Sequence, residues 1–199
     1  MPRQLDPATE QQILNAAQKL WQEGGEKALT MRAIARIAGT NTPTIYRRFK
    51  NRNDILFALT ERVQKDLLRA LQASRSPEET CVRYVEFASS HPHEYNLFQA
   101  YKNELSQSLR SHSRSALWNS TPILKVIRKQ LAERLGGSIS QHTLLSLALW
   151  ALAHGTATLL ISKKGIPAEQ VGALRSAFAA ALDTLVDRRI PADNDLWLR

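Results

Sequence analysis

Apolar residues recur along almost the whole chain at three- and four-residue steps, and no stretch of any length alternates apolar with polar. That pattern predicts an all-α fold of about nine helices. The first stripe is Ile13, Ala16, Ala17, Leu20 and Trp21, opened by Asp6 and Pro7 and expected to stop at Gly24-Gly25. A short helix then carries Met31, Ile34, Ala35 and Ala38, with Thr30 as N-cap and Gly39 at its end. Asn41 caps another, which tolerates Pro43 in its first turn and faces inward through Ile45 and Phe49. Asn51, with Asp54 three residues on, opens a long fourth helix whose stripe is Ile55, Leu59, Val63, Leu67 and Leu71.

The second part of the chain reads as a bundle. Ser76-Pro77-Glu78-Glu79 is a compact helix start, and His91-Pro92 ends that helix and opens a sixth with Tyr95, Leu97, Phe98 and Tyr101. Residues 106–119 are polar and serine-rich, which predicts a loop or a weak helix. Thr121-Pro122 starts a seventh helix that Gly136-Gly137 ends. The eighth, over 140–163, is apolar nearly all round and is expected to be buried on most sides. The ninth, over 167–189, shows Val171, Leu174, Phe178, Ala181 and Leu185 on one face. The reading places a domain boundary between residues 52 and 53 and gives no place to Leu196-Trp197-Leu198.

Residues 30–49, TMRAIARIAGTNTPTIYRRF, therefore form two short helices around a Gly-containing turn, the second basic and polar on its outer face. This is the pattern of a DNA-reading helix-turn-helix. Charge sharpens the reading. The net charge is +9. Residues 1–75 carry 13 Lys/Arg against 7 Asp/Glu, whereas 76–199 carry 14 against 11. From Lys27 to Asn53 there are seven basic residues and no acidic one, which suits a polyanion. Thr30, Tyr46, Lys50 and Arg52 are candidates to position phosphates, with Arg48 on the same basic face. Arg52 sits in a first helical turn, where the dipole disfavours a cation and a phosphate would explain it. Arg32, Asn41, Thr42, Thr44 and Arg47 are candidates for base edges, Arg47 at guanine and Asn41 at adenine if capping leaves it available. Thr42 and Pro43 offer apolar surface to a thymine methyl.

From Ile13 through Leu56 the chain resembles TetR/AcrR-type transcriptional regulators: LW before Gly25, then LTMRAIA, AG with TPTIYRRF, and a charged turn into DIL. It departs at Thr40, where a branched aliphatic residue is usual, and at Arg52, where lysine is usual. ALWALAHG over 148–155 resembles the Trp-His-Gly signature of one C-terminal domain class of that family. The resemblance implies a homodimer paired through helices eight and nine, here Leu160, Val171, Leu174, Phe178 and Leu185, bound to a palindromic double-stranded operator. It also implies a cavity for a small-molecule effector, and hence a repressor released by that effector. A helix apolar all round independently calls for more partners than one such subunit offers.

His154, four residues after Trp150, is either a core histidine or a polar anchor in an apolar cavity with Tyr84, Phe98, Tyr101, Trp118 and Trp150. The effector would then be largely apolar. Enzyme chemistry finds little support: Cys81 reads as structural, His91 and His93 flanking Pro92 as a helix start rather than a metal site, and no catalytic residue, metal or cofactor is assigned. A single cysteine and a polar N-terminus fit a cytoplasmic protein. The apolar stretch 144–161 is interrupted by Ser146, His154 and two threonines, so a buried helix is expected rather than a membrane span. The competing reading is a DNA-binding architectural or interaction protein whose C-terminal part only dimerises or docks a partner.

Overall fold

The computed structural model describes residues 7–108, 122–162 and 166–187, and among these the regular structure is helical throughout. Nine α-helices occur among them: α1 (Pro7–Ala28), α2 (Met31–Ile37), α3 (Thr42–Tyr46), α4 (Arg52–Gln72), α5 (Pro77–Ser90), α6 (Pro92–Ser108), α7 (Pro122–Leu135), α8 (Thr143–Ile161) and α9 (Ala168–Asp187). A 3-10 turn at Ile139–His142 leads into α8, so the eighth helix starts three residues later than its sequence pattern predicts. Trp118 and the Leu196-Trp197-Leu198 tail lie outside the described residues.

The starts follow the chemistry of orphan N–H groups. Thr30 Oγ1 accepts from Ala33 N at 3.2 Å, Asn41 Oδ1 from Thr44 N at 2.9 Å, and Ser76 Oγ from Glu79 N at 3.1 Å. At α4, Asn51 Oδ1 accepts from Asp54 N at 3.0 Å, while the Asp54 carboxylate reaches Lys50 N at 2.7 Å, one residue further back than a capping box reaches. One expected stop is different. Gly25 has the left-handed φ of 62°, yet the chain resumes helical structure and runs to Ala28, so the glycine kinks α1 instead of ending it.

Packing groups the chain into two units, one from Met1–Lys65 with His93–Ser111, the other from Asp66–Pro92 with His112–Arg199. The sequence reading places its boundary after residue 52, and it did not anticipate that α6 joins the N-terminal unit. The reason is visible in the side chains of that unit. Glu94, 7% exposed, accepts from Gln18 Nε2 at 3.2 Å and from Gln22, while Trp21 Nε1 donates to His93 O at 3.0 Å. Trp21 also meets Tyr101 edge-on, with ring centroids 6.3 Å apart. Here α1 packs on α2 and α2 on α3, around Ile13, Ala17, Ile34, Ile45, Ile55 and Leu56.

In the second unit α8 packs against α5, α7 and α9. Leu145, Leu149, Ala153 and Ala157 form its buried edge. Leu144 and Leu159 stay 40% and 48% exposed within the single chain, since α5, α7 and α9 leave part of α8 uncovered. Ile139–Ile161 is long and apolar enough to cross a membrane, and its most apolar 18-residue window is 33% buried within the chain. Two of its hydroxyls bond within the helix, Ser146 Oγ to Thr143 O and Thr158 Oγ1 to His154 O, both at 2.8 Å.

Cys81 is buried on α5 with Sγ 3.8 Å from Leu149 O. Burial pushes its thiol up to about 12, with the Glu78 charge adding to the shift. The thiol therefore stays neutral, and thiolate chemistry is suppressed. Because the ionised form is disfavoured only in the folded chain, stability that this group contributes below its ordinary value of 9.0 is lost as pH rises towards 12. Native protein at pH 8 should react with a disulfide reagent only after opening, so labelling should be slow and accelerate on denaturation; fast labelling of native protein contradicts the burial. Leu59, 1% exposed on α4, tests the N-terminal core: Leu59→Ala should cost about 2–5 kcal/mol by denaturant unfolding.

Candidate DNA interface and effector site

The helix-turn-helix is built from α2, the turn over 38–41, and α3. Gly39 takes a φ of 65°, and Thr40 N returns to Ala35 O at 3.0 Å, so the chain reverses tightly. Ile45, fully buried, and Phe49, 2% exposed, fix the inward side of α3. That leaves its outer side to solvent: Asn41, Pro43, Tyr46 and Arg47 are exposed, Tyr46 at 52%, and Thr42 and Thr44 are half-buried. Thr30, Arg32, Arg36 and Lys50 are exposed beside them. The sequence reading singled out all of these except Arg36, an exposed cation in the last turn of α2.

Several of these residues are already engaged within the fold. Asn41 Oδ1 accepts from Thr44 N, so capping takes one of its two acceptor positions and fixes the amide at the start of α3. Arg47 Nη2 lies 3.0 Å from Thr44 Oγ1, folded back along α3 with its other donors still outward. Lys50 gives its backbone N–H to Asp54, which fixes the start of α4 and leaves its ammonium exposed.

Arg48 and Arg52 differ from the rest. Arg48 meets both carboxylate oxygens of Glu10, at 2.6 Å from Nε and 3.1 Å from Nη2, and its guanidinium carbon lies 5.3 Å from the Phe49 ring centroid. The hydrogen bond to Glu10, strengthened by that carboxylate's charge, raises the Arg48 guanidinium above its ordinary value. Arg52 pairs with the Glu26 carboxylate and donates from Nη1 to Glu26 O at 3.3 Å. The Glu26 carboxylate thus compensates the cation in the first turn of α4. Neither glutamate was assigned a role from sequence, because partners 38 and 26 residues away leave no local spacing signal.

Of the residues assigned to the effector, the second unit brings three together. Tyr84, 2% exposed, has its hydroxyl 3.3 Å from His154 Nδ1, and the His154 ring stacks on Trp150 at 5.3 Å between centroids and 15° between planes. Phe98 and Tyr101 belong to the other unit, where Tyr101 packs on Trp21. A groove of about 410 Å³ lies in that same unit, between Asn15 and Lys19 of α1 and Ala38 and Gly39 of the turn, and includes none of the assigned residues. His91 closes α5: its N–H donates to Phe87 O at 2.9 Å and its ring stacks on Phe87 at 4.9 Å. On α9 the buried residues are Phe178, Leu182 and Val186, so Phe178 serves the chain's own core, while Val171, Leu174 and Leu185, with Leu160 of α8, are half-buried.

Comparison with known proteins places the fold. Residues 13–59 match the family of bacterial regulatory proteins of the tetR type, and residues 78–189 match the tetracyclin repressor-like C-terminal domain. The chain belongs to the TetR family. It is accordingly a DNA-binding transcriptional regulator and not an enzyme. No curated protein matches. Solved structures share the fold: TetR-Q116A from Acinetobacter baumannii AYE in complex with minocycline is 18% identical, with a TM-score of 0.58 over 93% of this chain and 96% of that one. Salmonella enterica GusR is 15% identical, with a TM-score of 0.63 over 94% and 97%. The regulator SCO7222, a TetR from Streptomyces coelicolor, is 19% identical, with a TM-score of 0.59 over 89% and 95%.

For a TetR-family chain with so short an α3, the two caps should matter for folding as well as for reading. Thr30→Ala and Asn41→Ala should each cost about 1 kcal/mol in denaturant unfolding. A loss below about 0.3 kcal/mol would mean that tertiary packing holds these helix starts without the side-chain bonds.

Proposed function

We propose that this regulator is a homodimeric repressor that binds a palindromic operator through α3 and is released by a small, largely apolar effector. The observation that carries the DNA reading is the outer face of α3, capped, anchored from beneath and bordered by exposed cations. In this reading Arg47 and Arg32, with Thr42, Pro43 and Thr44, face base edges, and Thr30, Tyr46 and Lys50 meet phosphates. Asn41 acts through its cap. Cytoplasmic residence accords with this function.

The dimer reading is supported by the uncovered side of α8, with Leu144, Leu159 and Leu160, and by half-buried Val171, Leu174 and Leu185 on α9. Burying such a surface against a second copy satisfies an apolar helix that one chain covers only in part. The 148–155 pattern supports placing this domain in the Trp-His-Gly class. Tyr84, His154 and Trp150 supply the convergent polar and aromatic groups of an effector site. The fold neighbour in complex with minocycline supports a small-molecule effector in kind.

The deciding experiment is selection of bound duplexes from fragmented genomic DNA, followed by footprinting. Two half-sites about 34–36 Å apart, or a multiple of that repeat, are expected; an enriched pool without two-fold symmetry would count against the dimeric operator complex. On the selected site, Arg47→Ala should cost about 1–3 kcal/mol and relax preference at one base position. Leu174→Glu should yield monomers by analytical ultracentrifugation with the fold retained by circular dichroism. Persistence of the dimer would put the interface elsewhere.

A further inference from the structure

The DNA face carries less net charge than its sequence shows. Among the basic residues between Lys27 and Asn53, Arg48 and Arg52 are each matched by a carboxylate of α1, Glu10 in its first turn and Glu26 close to its end. Lys27, Arg32, Arg36, Arg47 and Lys50 have no ion-pair partner among the described residues. The two matched arginines are also the two held most firmly. Arg48 is gripped by both oxygens of Glu10 and lies against Phe49; Arg52 is bonded to both the carboxylate and the carbonyl of Glu26.

We propose that Glu10 is a specificity-determining residue, which withdraws Arg48 from phosphate binding and converts it into a positioning residue for the end of α3. The proposal rests on the DNA-contact reading above. Sequence-independent affinity comes from counterion release, and each cation that neutralises a phosphate adds about 0.9 to the slope of log affinity against log salt. A guanidinium already neutralised brings no net charge to a phosphate, and its carboxylate repels one. Base-reading side chains are untouched by this pairing. General DNA affinity therefore falls while the preference for the right sequence is kept, which raises the ratio of specific to non-specific binding.

The test is salt-titrated binding of the full chain to a mixed-sequence duplex of roughly 30 base pairs, long enough to offer many contacts. Circular dichroism would verify each fold. Glu10→Gln should steepen the slope by about 0.9 as Arg48 becomes available, and adding Arg48→Ala to it should restore the parent slope. Glu23→Gln, which removes the same charge from α1 where it pairs at the surface with Lys19, should steepen it much less. The proposal is overturned if Arg48→Ala alone flattens the slope by about 0.9, or if Glu10→Gln and Glu23→Gln steepen it equally. Lys50→Ala separates the two readings. A slope flattened by Lys50→Ala beside one unmoved by Glu10→Gln overturns this proposal alone; slopes unmoved in both overturn the DNA-face assignment itself.

Discussion

Helix α3 spans only Thr42–Tyr46, and a single helical turn returns less than its nucleation costs. The reading element therefore exists only because other parts of the chain hold it. Asn41 satisfies the orphan N–H of Thr44, Gly39 permits the reversal that precedes it, and Ile45 and Phe49 sink into the core beneath it. Glu10 ties down Arg48, two residues beyond its end. Everything that DNA could meet on this face is presented by a segment whose conformation is imposed from below. Its burial and its orientation are one constraint, which is why a small helix can be a precise reader without being a stable one.

How much of this the sequence discloses depends on the range of the interaction. Caps and stripes act within a turn or two, so Thr30, Asn41, Asn51 and Ser76 name their helices directly, and the four-residue stripe of α4 is buried from Ile55 to Leu71. Gly25 misled because a positive φ marks a helix stop and a kink alike, and only the following turn distinguishes them. On α9, Val171, Leu174, Phe178, Ala181 and Leu185 read as one face, but the residues that pack fully are Phe178, Leu182 and Val186. A stripe shows that a helix has an apolar side without showing whether its own chain or another copy covers it.

Long-range polar contacts were the illegible part. Nothing local links Glu94 to Gln18 and Gln22, Glu10 to Arg48, or Glu26 to Arg52. These contacts change the picture more than any helix boundary does. They accompany α6 into the N-terminal unit, and they pair two of the seven cations between Lys27 and Asn53 with carboxylates of α1. Exposed ion pairs contribute only about 0.2–1 kcal/mol each to stability. Their effect on charge is larger in consequence, since it decides how many cations remain for a polyanion. The tyrosine, histidine and tryptophan of the second unit lay between these extremes. Trp150 and His154 are helix neighbours by spacing, whereas Tyr84 joins them only through the packing of α5 on α8.

The central claim is that DNA is met by the outer face of α3 and the cations beside it. Ultraviolet cross-linking to a bromouracil-substituted duplex, followed by peptide mapping, tests this without knowledge of the operator. The account expects cross-linked peptides to fall within residues 30–52, with Tyr46, half exposed on α3, among the cross-linked positions. Cross-links concentrated in residues 77–161, with 30–52 unmarked, would contradict it.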